Sequence, residues 1–147
     1  MMLVECKPDK LLVQILRPGL KVKHGGNKPD VIKLMLKHGW CGMVDEDPGA
    51  PKPKSFKKFK LVRHYHGFSL YRYNQSFLVV VSPKLEDFII QASQRAGIDL
   101  NEFRLPNDPD SLHRIINKNL DNLEPLLVRL KKKKVLDDLE RCLKALE

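Results

Sequence analysis

The chain has 147 residues, enough for one domain with a core of its own. Its apolar fraction of 42% suits a globular protein, its longest apolar run, Phe77 to Val81, is far short of the roughly 20 residues a membrane helix needs, and no charged-then-apolar leader opens it, so a cytoplasmic protein is expected. The net charge of +9 points to a polyanionic partner, although lysine enrichment also serves solubility or a hot habitat.

In chain order, Met2 to Cys6 is a short apolar run that reads as a first strand, with Glu5 at its carboxyl end. Pro8-Asp9-Lys10 opens a helix whose Leu11, Leu12, Ile15 and Leu16 form a stripe at helical spacing, and Pro18-Gly19 stops it. Leu20 to Lys23 alternates apolar residues with lysine, as a second strand does. His24-Gly25-Gly26-Asn27 is a loop whose glycines suit a turn or the close approach of a phosphate to the backbone. A second helix follows, with Val31, Ile32, Met35 and Leu36 on its buried face and Gly39 at its end. Trp40 to Val44 is a third, buried strand. This alternation of strand and helix predicts right-handed crossovers and a parallel sheet with helices packed on it.

The third strand runs into Asp45-Glu46-Asp47-Pro48-Gly49. A period of two puts Asp45 and Asp47 on one side at the strand's carboxyl end, where open α/β sheets hold their ligands. Two carboxylates a few Å apart repel each other, and a divalent cation would keep both ionised. The plainer reading is a solvated turn, since Asp, Pro and Gly are turn residues. Glu5, at the end of a neighbouring strand, weighs toward a metal site.

Together, Val4-Glu5 followed by Asp9 at a helix start, a glycine-containing loop, and a hydrophobic strand ending Asp45-x-Asp47-x-Gly49 resemble the TOPRIM domain. That domain is shared by bacterial-type primases, topoisomerases, OLD-family nucleases and small ribonuclease-like maturases. The motifs span roughly residues 2 to 50, about a third of the chain. The resemblance implies an α/β, Rossmann-like, mainly parallel sheet flanked by helices. It implies Glu5 as the catalytic acid or base, Asp45 and Asp47 as ligands of Mg2+ or Mn2+, and Asp9 as a further acid of the site. The activity implied is metal-dependent phosphodiester chemistry on DNA or RNA, by a nuclease or a nucleotidyl transferase. The chain departs from the family at Cys6, where glycine is usual and a side chain would crowd an approaching phosphate. The alternative is a non-catalytic TOPRIM-like module that binds nucleic acid or a protein.

Beyond Gly49, a proline-punctuated loop carries Lys52, Lys54, Lys57, Lys58 and Lys60. Beside the acidic edge, these lysines with Arg63 would guide a nucleic-acid backbone, or form only a solvated connector. Phe59 to His66, Phe68 to Tyr73 and Ser76 to Val81 read as a β-meander. His64 and His66 share a strand face but, with no acid near, read as surface residues rather than zinc ligands. Arg63, Tyr65, Tyr71, Arg72 and Tyr73 mix cations with rings as single-strand binders do, yet a half-buried sheet with its tyrosines on the core is the favoured reading.

Ser82-Pro83 is expected to open a helix that runs to Gly97, with Leu85, Phe88, Ile89 and Ala92 on its buried side and Glu86 and Asp87 in its first turn. In OLD-type nucleases a further acid after the Asp-x-Asp strand completes a second metal site, and Glu86 is loosely similar. From Pro106 on, three helices are expected, ending near Ile116, over Leu120 to Leu130, and over Val135 to Leu146. The stripe Leu136, Leu139, Leu143 and Leu146 packs on the core or, in a homodimer, on a second copy. Residues 1–147 thus form one domain, with core motifs in 2–50, a sheet extension in 51–106 and a helical segment in 107–147. Three scattered cysteines give no disulfide framework, and none is expected between Cys6 and Cys41.

Overall fold

A computed structural model describes residues 1–146 as an α/β fold with one six-stranded mixed sheet. The strands are β1 (Met2–Val4), β2 (Val22–His24), β3 (Cys41–Asp45), β4 (Lys60–Tyr65), β5 (Phe68–Tyr73) and β6 (Ser76–Val81). Their order across the sheet is β2-β1-β3-β6-β5-β4. The first four in that order are parallel neighbours, whereas β5 and β4 are antiparallel. The sheet is therefore mixed. The meander extends it, and the meander's last strand, β6, lies parallel beside β3.

The helices are α1 (Lys7–Leu16), α2 (Lys28–His38), α3 (Leu85–Ala96), α4 (Pro109–Ile115), α5 (Leu120–Lys132) and α6 (Asp137–Ala145). Alternation along the central strands divides the core. Met2, Val4, Met43, Val79 and Val81 share one apolar cluster with α1, α3, α5 and α6. Leu3, Val44, Leu78 and Val80 share the other with α2 and Phe59. A central strand buried on both faces has to be apolar at every position, and β1, with all three residues wholly buried, is.

Local signals set several boundaries. In α2 the Asn27 side chain accepts the Asp30 amide at 3.0 Å and the Asp30 carboxylate accepts the Asn27 amide at 3.3 Å, a reciprocal cap. Gly39 ends α2 in the left-handed region at φ 70°. Residues 82–84 depart from expectation: Ser82-Pro83 is a cis peptide outside the helix, and α3 starts at Leu85 with Lys84 as its cap. The stripe Leu136, Leu139, Leu143 and Leu146 is buried in the cluster that covers β1 and β3, so those leucines are taken up within the chain. No helix among the described residues is long and apolar enough to cross a membrane.

From β1 the chain crosses to β2 on one side, then returns past β1 to β3 on the other. The carboxyl ends of β1 and β3 thus flank a topological switch point, the place where sheets of this kind open a crevice. The carboxyl end of β6 lies on the same edge, beside that of β3.

Candidate functional site

Four elements bring carboxylates to this edge. Glu5 follows β1, Asp9 lies in the first turn of α1, Asp45 is the last residue of β3, and Glu86 is the second residue of α3. One oxygen of each is held. The Asp45 amide donates to Glu5 Oε1 at 2.8 Å, tying the ends of β1 and β3 together. The Leu85 amide, at the start of α3, donates to Asp45 Oδ1 at 3.1 Å. The Cys6 amide and thiol donate to Asp9 Oδ2 at 3.2 and 2.9 Å. His113 Nδ1 shares a 2.7 Å hydrogen bond with Glu86 Oε1.

The cluster is crowded with like charge. Burial first, then the charges of Asp9, Glu5 and Glu86, push Asp45 up to about 8, against the opposing bond from Leu85. Burial likewise pushes Asp9 up to about 7, with Glu5 and Glu86 adding to it and Cys6 opposing. Glu5 is raised by burial and by Asp47, while the Asp45 amide and the Lys28 ammonium pull it down. The Cys6 thiol is also raised, by burial and then by Asp9. Cys6, expected to crowd a phosphate, instead turns its thiol onto Asp9.

Asp47 departs from the sequence reading. β3 ends at Asp45; the next two amides, of Glu46 and Asp47, donate to Val81 and Pro83 carbonyls at 2.7 and 2.9 Å, and Asp47 takes a left-handed φ of 45°. The period-two rule stops with the strand, so it cannot put Asp47 beside Asp45. Its charge is felt at Glu5. Accessibility separates the acids further: Asp9 and Glu86 are 3% and 4% exposed, whereas Glu5, Asp45 and Asp47 are half-buried.

Oxygen-only donors suit a hard divalent cation, and magnesium commonly takes one or two carboxylates plus waters and a substrate phosphate. Among the described residues no three His, Cys, Asp or Glu side chains are grouped so as to hold one metal ion. The expected set of Glu5, Asp45 and Asp47 therefore shares an edge without forming a ready three-ligand cage. The oxygen donors are of the type that a sparse magnesium shell uses, one or two carboxylates completed by water.

The basic residues are spread more widely than the sequence reading placed them. Lys52, Lys54, Lys57 and Lys58 are exposed on the connection after β3, Lys54–Lys58 forming a 3-10 turn beside α2. Lys52 Nζ stands 5.2 Å from the Phe56 ring, and the Arg63 guanidinium 4.9 Å from that of Tyr65. Lys60 pairs with Arg72 and Arg72 with Phe77, whereas Asp45 is level with Val81. Lys60 thus lies at the opposite edge of the sheet from the acids, because the connection runs the length of the strands before β4 begins. His64 Nδ1 hydrogen-bonds Ser69 Oγ at 2.7 Å, and His66 lies in the turn beyond β4, so the two do not share a strand face.

Two contributors carried no signal in the sequence. His113 sits in α4, more than 25 positions from Glu86, and only the packing of α4 on α3 joins them. Lys28, the first residue of α2, donates its ammonium to the Glu46 carbonyl at 2.5 Å and lowers Glu5. A lysine at a helix start has no motif to mark it. Comparison of the chain with family models, with curated proteins and with solved structures returns no match.

Proposed function

We propose that the acidic edge is a magnesium-dependent phosphodiester-processing site acting on nucleic acid, in a TOPRIM-like frame. One observation carries this reading: carboxylates from separate elements converge at the switch point, where burial first and then the charges of Asp9, Glu5 and Glu86 lift Asp45 to about 8. A site that resists its own ionisation has an electrostatic vacancy for a cation. Asp45, with Asp47, would hold the ion. Asp9 and Glu86, too buried to reach a substrate, strengthen the negative field behind Asp45. Glu5, half-buried at the end of β1 beside Asp45, would carry a proton to or from a reacting oxygen. When bound, magnesium supplies Lewis-acid contact to a phosphate oxygen and lowers the pKa of a bound water. The half-buried position of Glu5 and Asp45 limits water access, while the +9 net charge favours a polyanion over other substrates.

The second reading, a non-catalytic TOPRIM-like module binding nucleic acid or a protein, draws on the lack of a three-ligand group among the described residues. The two are separated by incubating labelled single-stranded and duplex DNA and RNA with the protein and MgCl2 or MnCl2. We expect cleavage or nucleotide addition that needs the metal and falls about 100-fold or more in Asp45→Asn, Asp47→Asn. Nucleic-acid binding with no turnover under any of these conditions would leave the binding module.

A further inference from the structure

At the far edge of the sheet from the acids, a groove of about 510 Å³ is lined by Lys58, Lys60 and Arg72, by Leu61 and Val62, and by Tyr73. None of its lining residues is acidic. Leu61 and Val62 are 46% and 52% exposed, the most open large apolar side chains among the described residues. The Arg72 guanidinium is anchored, with Nε donating to the Asn74 carbonyl at 2.7 Å and its carbon 5.3 Å from the Phe77 ring centre. Tyr73 is half-buried against Phe59 at 6.0 Å between ring centres.

Lysines on an edge strand ordinarily prevent edge-to-edge pairing. That purpose does not account for two adjacent exposed aliphatics. The edge is also a poor template for an added protein strand, because the β4–β5 register skips Val62, passing from Leu61 opposite Tyr71 to Arg63 opposite Leu70. Such a bulge interrupts and bends the outward row of backbone groups that a docking strand or a second copy would need.

We infer that this groove is a second, non-catalytic binding subsite for single-stranded nucleic acid, its three cations holding phosphates and its exposed apolar and tyrosine surface receiving unstacked bases. The inference rests on the nucleic-acid partner proposed above but not on catalysis. Open cationic grooves with apolar and aromatic floors bind single strands with little regard for sequence. Three inter-strand steps and four residue rises put the groove about 20 Å from Asp45. A strand anchored there could pass along the exposed lysines of residues 52–58 toward the acidic edge.

The test measures binding of a fluorescent oligothymidylate to the full chain by anisotropy across a salt series, without divalent metal. The variants are K58E/K60E/R72E and the milder K58Q/K60Q, with thermal melting as the check on folding. Expected are a groove-dependent affinity that drops about tenfold or more in the charge-reversal variant, a salt slope smaller by about 2, and a lesser drop in K58Q/K60Q. Unchanged affinity in both folded groove variants overturns the site. Absence of oligonucleotide binding, or displacement of the oligonucleotide by a poly-glutamate peptide at lower concentration, overturns the class of ligand. Groove-dependent binding without metal-dependent turnover defeats the proposed chemistry alone.

Discussion

Asp45 gathers the electrostatics of the acidic edge because its position at the end of a buried parallel strand leaves its carboxylate among three others. Its ordinary value of 3.8 rises to about 8 in the fold, and that of Asp9 to about 7. The folded protein holds these protons more tightly than the unfolded chain, so the stabilisation is whole below about pH 4 and is lost as pH rises toward 8. In metal-free buffer, Asp45→Asn removes the share of that loss that belongs to Asp45. We expect the variant to melt roughly 5–10 °C above the wild type at pH 8 and close to it at pH 4.5, measured by circular dichroism. A wild-type melting temperature that climbs from pH 5 to pH 8 in the absence of divalent metal contradicts the crowding described here. Glu5 and Asp45 could be nominated from sequence, because each acid directly follows an apolar run. The charge state of neither could, since burial and the neighbours from α1 and α3 are set by packing.

At the scale of elements, α2 rides unusually close to β3. A β-carbon at Gly42 would stand 3.0 Å from Val31 Cγ1 and 3.2 Å from Met35 Cγ, closer than ordinary contact. The nearest atom of all is Met35 Sδ, so in Gly42→Ala the Met35 and Val31 side chains, or α2 itself, must shift, at an expected cost of about 1–3 kcal/mol in urea denaturation. Because Asp45 is the last residue of β3, the same variant also tests the proposed magnesium site: the rise in melting temperature expected there on adding MgCl2 should be smaller than in the wild type. The helices were legible here through their apolar stripes and the stop at Gly39, which are local in sequence. The start of α3 was not, because serine before proline matches a helix cap, whereas the cis Ser82-Pro83 peptide and Lys84 occupy the approach to Leu85.

Across the whole molecule, the C-terminal helices belong to the same apolar cluster as β1, β3 and β6. Leu123, Leu126, Leu127 and Leu130 of α5 are wholly buried in it. Leu127→Ala should destabilise the entire fold by about 2–5 kcal/mol, with sheet and helix signals lost in one transition. Separate transitions for the strand-rich and helical parts would show that residues 107–146 are an appendage. Through His113 this segment also reaches the acidic edge, since α4 places the imidazole on the buried Glu86 carboxylate.

What the sequence determined by itself was whatever depends on neighbours a few residues apart: the apolar runs, the helical stripes, the acids placed just after strands, and the excess of basic residues. Tertiary structure alone decided that β6 lies beside β3, that the chain leaves the strand before Asp47, that Lys60 falls at the opposite edge, and that His113 meets Glu86. The physical reason is that strand order and register are set by packing the whole apolar surface at once, so they leave no periodic trace in any one segment.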